Sequence, residues 1–160
     1  MDPMTLIGSV KCVSAGEGVL GSVPPSRQHV GDIQFGWSLL RQIVELGIGN
    51  GMVVRERDVV AVEAAEDTAA LIKRAGEVCR KRGWVLLKTA GADGANGLPT
   101  IDVETIRTLA GAGGGCLALS AERVHLADKT AIIEAADRLK VALVGVVEEP
   151  SGKPGSGPGG

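Results

Sequence analysis

One stretch of the chain combines side chains that could bind both a phosphate group and a metal ion. It is the glycine-rich segment Gly91–Gly97, which contains Asp93 and Asn96 and follows the apolar run Trp84–Leu87 and Lys88. Such an apolar run is typical of a buried strand, and ligands of open α/β sheets bind beyond the carboxyl ends of strands. Lys88 could neutralise phosphate, while Asp93 and Asn96 offer the oxygen ligands that a hard cation prefers. A solvated surface loop is the alternative interpretation of these residues.

Two other glycine-rich segments, 47–51 and 111–115, each follow a predicted helix and lead into a predicted strand. A dinucleotide-binding loop has the opposite order, because the phosphate must face a helix N-terminus. We therefore expect helix caps, tight turns and close packing in both segments. At Gly113–Gly115, close approach of a ligand remains an alternative, because three consecutive glycines exceed what one cap requires.

Carboxylates cluster at Glu63, Glu66 and Asp67, where a predicted strand passes into a predicted helix. Acidic side chains in a first helical turn are favoured by the helix dipole, so a structural role explains them as well as a functional one does. His29 and His125 have no partner at the spacing of a metal site.

Compartment and membrane signals come from the cysteines and the apolar runs. Cys12, Cys79 and Cys116 lack the spacing of a zinc or redox motif, which is typical of reduced cysteines. The N-terminus has no signal-peptide pattern, and the run 141–147 is far shorter than the roughly 20 residues of a membrane helix. These patterns predict a cytoplasmic protein.

Charge and aromatic content argue against a nucleic-acid-binding protein. The 160 residues carry 17 basic and 19 acidic side chains, so no excess of positive charge is available to bind a polyanion. Aromatic residues make up only 2% of the chain, so stacking surfaces for bases are scarce. We expect no nucleic-acid partner.

The elements that position these groups follow from hydrophobic periodicity. The pattern predicts helices that begin near Asp32, Asp67, Asp102 and Asp128, with the first ending at Gly47 and the second near Arg82. It predicts strands at 52–54, 59–62, 84–87, 116–119 and 141–147. The first two strands should form a hairpin with the charged residues 55–58 at its tip. Further short strands at 5–7 and 10–13 are possible within an otherwise irregular stretch of 31 residues.

Alternation of strands and helices predicts an α/β domain with a mostly parallel or mixed β-sheet, flanked by helices and carrying one hairpin. We expect an irregular N-terminal segment at 1–29, a catalytic-type domain at 30–147 and a disordered Gly/Pro/Ser tail at 148–160. The same periodicity predicts a core that includes Trp37, Leu40, Val53, Val60, Leu71, Val78, Leu86, Ile106, Leu117, Ile133 and Val144.

A family resemblance becomes visible once the motifs are read in chain order. The matching stretches are Asp32–Trp37, Gly47–Val54, Val59–Ala64, Glu66 with Thr68, Val85–Lys88, Pro99–Ile101, Glu104–Ile106, 113–119 and Asp128. Their order resembles the bacterial lipid A enzymes that hydrolyse UDP-2,3-diacylglucosamine, in the metal-dependent type built from two dissimilar domains. The resemblance covers about residues 18–147 and corresponds to the C-terminal domain of that family.

The resemblance implies cleavage of a pyrophosphate by water to give UMP and 2,3-diacylglucosamine 1-phosphate, with Mg²⁺ as cofactor. It implies catalytic roles for Asp93 and Lys88, with Asp93 also binding the metal. It implies substrate binding by Asn50, Glu63, Asn96 and Thr100. The implied partners are the acylated UDP-sugar, a membrane surface contacted peripherally, and either a second copy of the chain or a separate N-terminal domain.

Departures from the family pattern leave other functions open. Relative to that pattern, the segment Gly91–Leu98 is shortened and has no arginine; Asp93 falls on the first of two family aspartates and Gly97 on the second. Asn50 stands where the family has glutamine, and the residues ahead of the resemblance are too few for the family's N-terminal domain. A non-catalytic module that binds an acyl-sugar phosphate or a nucleotide is one alternative. A half-enzyme that needs a separate N-terminal domain is another.

Overall fold

The computed structural model describes residues 18–91 and 99–147. In chain order, the elements in these ranges are β1 (Gly18–Val19), α1 (Arg27–Glu45), β2 (Gly51–Arg55), β3 (Asp58–Val62), α2 (Thr68–Val78), β4 (Trp84–Lys88), β5 (Thr100–Ile101), α3 (Val103–Ala112), β6 (Gly114–Ser120), β7 (His125–Leu126), α4 (Lys129–Arg138) and β8 (Ala142–Val146). All five strands predicted between 52 and 147 are present, with ends shifted by at most two residues. The possible strands at 5–7 and 10–13 and the predicted tail lie outside the described residues.

The described strands form a mixed six-stranded sheet in the order β1-β8-β6-β4-β2-β3. Strands β4, β6 and β8 run parallel at its centre, while β2 and β3 form an antiparallel hairpin beside β4. Strand β1 pairs antiparallel with β8. A second, two-stranded parallel ladder joins β5 to β7. The predicted fold class is therefore confirmed, and so is the hairpin.

Helices cover both faces of the sheet, which is why its central strands are apolar at nearly every position. Val85 and Leu87 of β4 pack on the α1 side, while Trp84 and Leu86 face the core under α2, α3 and α4. All four side chains are fully buried. Each contributes on the order of 1.5–3 kcal/mol by leaving water, so the two layers of core hold the strand ends in fixed positions.

Most of the predicted core residues are buried in the structure. The buried ones are Trp37, Leu40, Val53, Leu71, Leu86, Ile106, Leu117 and Val144, while Val60 and Ile133 are partly buried. The prediction for Val78 was wrong, because this residue is 61% exposed. It is the last residue of α2, and Cys79 already has an extended backbone, so the chain turns away from the core there.

The start of α1 differs from the prediction. The helix begins at Arg27 rather than near Asp32, and Ser26 is its N-cap. The side chains of Ser26 and His29 form a reciprocal capping box, in which each accepts a backbone N–H from the other residue. A histidine in the place of the usual Glu or Gln hides this signal from sequence inspection. With 19 residues, α1 is not apolar enough to cross a bilayer, and the other helices within 18–91 and 99–147 also fail that test.

Aspartates cap the remaining helices, largely as predicted. Asp67, Asp102 and Asp128 each accept a hydrogen bond from a backbone N–H in the first turn of the following helix. Helix α2 starts at Thr68 and ends at Val78, four residues before the predicted end near Arg82. The predicted helix is too long because Arg80, Lys81 and Arg82 are residues that a helix accommodates well, so the sequence does not mark where the helix ends.

The hairpin tip depends on a buried carboxylate that the sequence did not single out for this role. Glu56 and Arg57 have φ angles of 53° and 63°, the left-handed pair of a type I′ turn. Asp32, only 1% exposed, accepts hydrogen bonds from the backbone N–H groups of Glu56 at 3.0 Å and Arg57 at 2.8 Å. A side chain of α1 therefore stabilises a strained turn of the sheet.

We expect Asp32→Ala to lower the free energy of unfolding by about 2 kcal/mol, because two charge-assisted hydrogen bonds to the left-handed turn are lost. Urea unfolding followed by circular dichroism measures the change. Asp58→Ala, an exposed aspartate on the same hairpin, is the control and should change stability by less than about 0.5 kcal/mol. Equal unfolding midpoints for Asp32→Ala and the wild type would contradict the role assigned to Asp32.

The capping histidine is fixed in one neutral tautomer. His29 Nδ1 accepts the Ser26 N–H at 3.1 Å, so the ring proton lies on Nε2, which donates to the Gly83 carbonyl at 3.2 Å. Burial lowers the pKa of His29 and outweighs the nearby Asp32 carboxylate, which acts in the opposite direction. A proton on Nδ1 would also remove the acceptor of the capping box.

Stability should therefore fall as the solution is acidified through the range just below about pH 6.5, where an unfolded histidine gains its proton before the native one does. Full stability is expected above that value. Urea unfolding at about pH 7.5 and about pH 5.5 tests the slope. His29→Gln keeps a capping side chain that does not titrate, so its slope should be smaller; the exposed His125→Gln should retain the wild-type slope. Identical slopes in all three proteins would refute the assignment.

Candidate active site

The carboxyl ends of the parallel strands meet at one edge of the sheet. Lys88 at the end of β4 is in register with Leu119 of β6, and Leu119 with Gly145 of β8. Because β2 runs antiparallel to β4, its first residue, Gly51, pairs with Lys88 at the same edge. The turn before β2 and the segments after β4 and β6 therefore lie together, as ligand-binding segments do in α/β proteins.

A buried ion pair occupies this edge. Lys88 Nζ lies 2.7 Å from Glu63 Oε1, and the two side chains are only 4% and 11% exposed. Glu63 directly follows β3, and its backbone N–H donates to the Gly51 carbonyl at 2.9 Å. The Thr68 hydroxyl, in the first turn of α2, lies 3.5 Å from the same carboxylate oxygen. Two residues that the family resemblance marked separately are thus in direct contact.

The glycines of segment 47–51 make room for Glu63. Gly47 has φ +74° just after α1 and is the predicted left-handed cap. A Cβ on Gly49 would lie 1.6 Å from the Glu63 carbonyl oxygen, and one on Gly51 would lie 2.6 Å from Glu63 Oε1. No larger residue fits either position without moving Glu63. Close backbone approach, rather than phosphate binding, therefore explains this glycine pattern.

The other predicted site residues lie at different distances from the pair. The Asn50 carbonyl accepts the backbone N–H of Thr89 at 3.0 Å, so Asn50 lies beside the residue that follows Lys88. Thr100 is exposed and belongs to β5, where it pairs with His125. Asp93 and Asn96 lie outside the described residues. The structure therefore brings Asn50, Glu63 and Lys88 together and places Thr100 on the β5–β7 ladder.

Two other candidate groups serve the scaffold. Hydrogen bonds from Arg74 lower the pKa of Glu66, and Arg74 also donates to the Val62 carbonyl at 2.9 Å, so this surface pair braces the connection from β3 to α2.

Gly113 ends α3 with φ +116°, and a Cβ on Gly114 would lie 2.6 Å from the Leu109 side chain. These glycines are at the start of β6, at the opposite edge from Lys88, where close packing accounts for them.

Sequence inspection missed Arg123, which also lies at the carboxyl edge. Its Nη1 donates to the Ala90 carbonyl at 3.3 Å, and nearby the His125 N–H donates to the Pro99 carbonyl at 2.9 Å. The flanks of segment 91–98 are therefore both hydrogen-bonded to the chain that follows β6. The available signal was the position of Arg123 just after a buried strand parallel to β4.

The described residues do not provide a complete set of ligands for Mg²⁺. Within 18–91 and 99–147, no group of three or more His, Cys, Asp or Glu side chains could hold a metal ion. Glu63 brings a carboxylate to this edge, but the Lys88 ammonium 2.7 Å away opposes a second cation there. The described residues alone therefore do not form a magnesium site.

Comparison with known proteins connects this fold to a family. A family profile described as the LpxI C-terminal domain matches residues 16–144, from just ahead of β1 into β8. The chain belongs to this LpxI C-terminal domain family. The match confirms the resemblance drawn from the motifs, and it contains Asn50, Glu63 and Lys88 of the carboxyl edge.

A curated LpxI relative gives the same result. The UDP-2,3-diacylglucosamine pyrophosphatase LpxI of Caulobacter vibrioides is 37% identical over 138 residues, which cover 81% of this chain and 49% of the relative. The chain thus spans about half the length of that LpxI protein.

We expect Lys88→Met to lower the free energy of unfolding by about 3 kcal/mol, because it leaves the Glu63 carboxylate buried and unpaired. The double variant Lys88→Met/Glu63→Gln should recover most of that loss. Urea unfolding of the wild type, Lys88→Met, Glu63→Gln and the double variant gives the coupling energy. The exposed pair Arg107–Glu104 is the control, since Glu104→Gln should cost less than about 1 kcal/mol. A double variant no more stable than Lys88→Met would contradict the coupling.

Proposed function

We propose that this chain is the catalytic-type domain of a pyrophosphatase that hydrolyses UDP-2,3-diacylglucosamine to UMP and 2,3-diacylglucosamine 1-phosphate. The observation that carries the proposal is the 37% identity to the Caulobacter pyrophosphatase over 138 residues, which cover 81% of this chain. The buried Lys88–Glu63 pair supports it, because a charged pair held out of water is characteristic of a site rather than of an ordinary sheet edge.

The reaction adds one water molecule across the pyrophosphate. The water oxygen bonds to one phosphorus, the bridging P–O bond breaks, and the water proton passes to a base. Each product then carries one phosphate group. The main task of the protein is to neutralise the charge that develops on the phosphate oxygens and to align the water.

The roles of the individual side chains follow from their positions and from the resemblance. Lys88 contributes positive charge at the end of β4, and the contact with Glu63 holds that ammonium in place. Asn50 contributes to substrate binding from the turn before β2. We assign the orientation of water and the binding of Mg²⁺ to Asp93, with Asn96 and Thr100 as substrate contacts. When bound, Mg²⁺ would polarise a phosphoryl oxygen as a Lewis acid.

We place the reaction in the cytoplasm, with peripheral contact to the membrane that holds the acyl chains of the substrate. Two observations support this. Cys79 and Cys116 are free in the structure, as expected in a reducing compartment. The exposed apolar side chains of Leu46 and Ile48 flank the turn that leads to the carboxyl edge. An acyl chain of the substrate or a partner domain could cover these side chains.

Hydrolysis is tested by incubating the purified chain with UDP-2,3-diacylglucosamine and Mg²⁺ and measuring UMP release. We expect turnover that is abolished by EDTA and restored by Mg²⁺. Asp93→Ala should lower the rate at least about 100-fold, as loss of a group that orients water does. Asp58→Ala, an exposed aspartate at the far edge of the sheet, should match the wild type.

The same assay distinguishes the alternative functions. Release of UMP only when the part of the Caulobacter relative outside the match is added in trans would identify a half-enzyme. Binding of the substrate without UMP release in either arrangement would identify a non-catalytic binding module. Light scattering of the active preparation tells a homodimer from a complex with the added domain. Turnover at wild-type rate by Asp93→Ala would remove Asp93 from the mechanism.

A further inference from the structure

The two oxygens of the Glu63 carboxylate lie in different surroundings. Oε1 accepts a hydrogen bond from the Lys88 ammonium at 2.7 Å and lies 3.5 Å from the Thr68 hydroxyl. A Cβ on Gly51 would lie 2.6 Å from the same oxygen, so the backbone at the start of β2 also lies against it. Every hydrogen bond that the described residues make to this carboxylate therefore reaches Oε1, and Oε2 accepts none of them.

Oε2 nevertheless stays in contact with solvent. In the part of the chain that the structure describes, the side-chain nitrogen and oxygen atoms that are buried without a hydrogen-bond partner are the indole nitrogens of Trp37 and Trp84. Oε2 of Glu63 is not among them, although it also has no partner there, so it reaches the surface. Because Glu63 directly follows β3, this open oxygen lies at the carboxyl edge of the sheet.

The surrounding chain fixes the direction of the carboxylate. The backbone N–H of Glu63 donates to the Gly51 carbonyl at 2.9 Å, and a Cβ on Gly49 would lie 1.6 Å from the Glu63 carbonyl oxygen. The Lys88 side chain that holds Oε1 is itself buried at the end of β4. Oε2 is therefore a preorganised acceptor, which binds a ligand without a large cost in side-chain ordering.

The chemistry of the pair restricts the ligand group that Oε2 can take. An ionised carboxylate accepts hydrogen bonds and donates none, so Oε2 suits a ligand group that donates. Phosphate oxygens are acceptors with negative charge, and the carboxylate repels them. The Lys88 ammonium beside it has three N–H donors and gives one of them to Oε1. Together the two side chains suit a neutral donor that lies close to an anionic group, which is the arrangement found in a sugar phosphate.

We propose that Glu63 Oε2 accepts a hydrogen bond from a sugar hydroxyl of the substrate and so selects the hydroxylated sugar over its deoxy analogue. This inference rests on the proposed function and adds to it the group that Glu63 recognises. UDP-2,3-diacylglucosamine carries such hydroxyls on its ribose and on its glucosamine, and both offer the same chemistry. A site built to bond a hydroxyl rejects the analogue that lacks it, because the acceptor is then left unpaired.

Isothermal titration calorimetry with two pairs of ligands tests the proposal. The first pair is UDP and 2′,3′-dideoxy-UDP, and the second is glucosamine 1-phosphate and its 4,6-dideoxy analogue. For the wild type, the deoxy member of at least one pair should bind about tenfold more weakly, the loss expected for a hydrogen bond to a charged acceptor. The pair that shows the difference identifies ribose or glucosamine as the source of the hydroxyl. Equal affinities within both pairs overturn the proposal.

Glu63→Gln tests whether this carboxylate causes the preference. Glutamine has nearly the same shape without the charge, so the tenfold preference should fall to about threefold or less. Glu104→Gln, at an exposed carboxylate on α3, is the matched control and should keep the full preference. If Glu63→Gln fails to fold, Lys88→Met/Glu63→Gln decides by the same ratio, because loss of the ammonium affects both members of a pair alike.

Other roles of Glu63 give different results. If Glu63 only shapes the edge, Glu63→Gln weakens the hydroxylated and the deoxy ligand equally. If Glu63 instead orients the attacking water, Glu63→Gln lowers UMP release and leaves the tenfold preference intact. Either result overturns the proposal.

Failure of the proposed function is recognised separately. A wild-type protein that binds neither UDP nor glucosamine 1-phosphate and releases no UMP, with or without the added domain, overturns the proposed function and this inference with it. A wild-type protein that releases UMP but binds the hydroxylated and deoxy ligands with equal affinity overturns only the inference.

Discussion

A lysine ammonium buried at the end of a central strand must be neutralised, and this requirement organises the carboxyl edge of the sheet. Lys88 lies on the same face of β4 as Leu86, which is the face covered by α2, α3 and α4. Its amine is therefore directed toward α2 rather than into water. Glu63 provides the opposite charge. Because Glu63 directly follows β3, the end of β3 must lie close to the start of β2 for the two charges to meet. Removing either charge alone would leave the other buried, which costs far more than the pair itself contributes.

The glycines around the pair follow from the same requirement. Gly49 and Gly51 lie against the backbone and the carboxylate of Glu63, where a Cβ would overlap it. The turn between α1 and β2 is therefore shaped by an ion pair formed by two other segments. Asn50 lies in this turn, so the position of that candidate substrate-binding residue also depends on Glu63 and Lys88.

The opposite edge of the sheet is stabilised by other polar groups of α1. Asp32 holds the left-handed turn of the hairpin, and His29 joins the cap of α1 to Gly83 just before β4. These contacts fix α1 against the amino ends of the strands, while the carboxyl edge carries the charged residues of the candidate site. Scaffold and site are thus separated along the strand direction.

The sequence by itself determined the class of fold, the strands and the aspartate caps, because these depend on local periodicity and on short-range hydrogen bonds. Through the order of its motifs, it also identified the family. It marked Lys88, Glu63 and Asn50 as separate candidates, but not their contact. Their distances along the chain carry no information about which charges meet across a sheet.

Only the tertiary structure decided which polar residues act together. The strand order places β3 and β2 beside β4, and this brings Glu63 to Lys88. The parallel pairing of β4 with β6 brings Arg123 to Ala90, although 33 residues separate them in the chain. In the sequence, Asp32 is likewise only one polar position of a predicted helix. Its burial against the hairpin is visible only in the tertiary structure. Burial and long-range pairing arise only when the whole sheet assembles, so local sequence patterns could not specify these contacts.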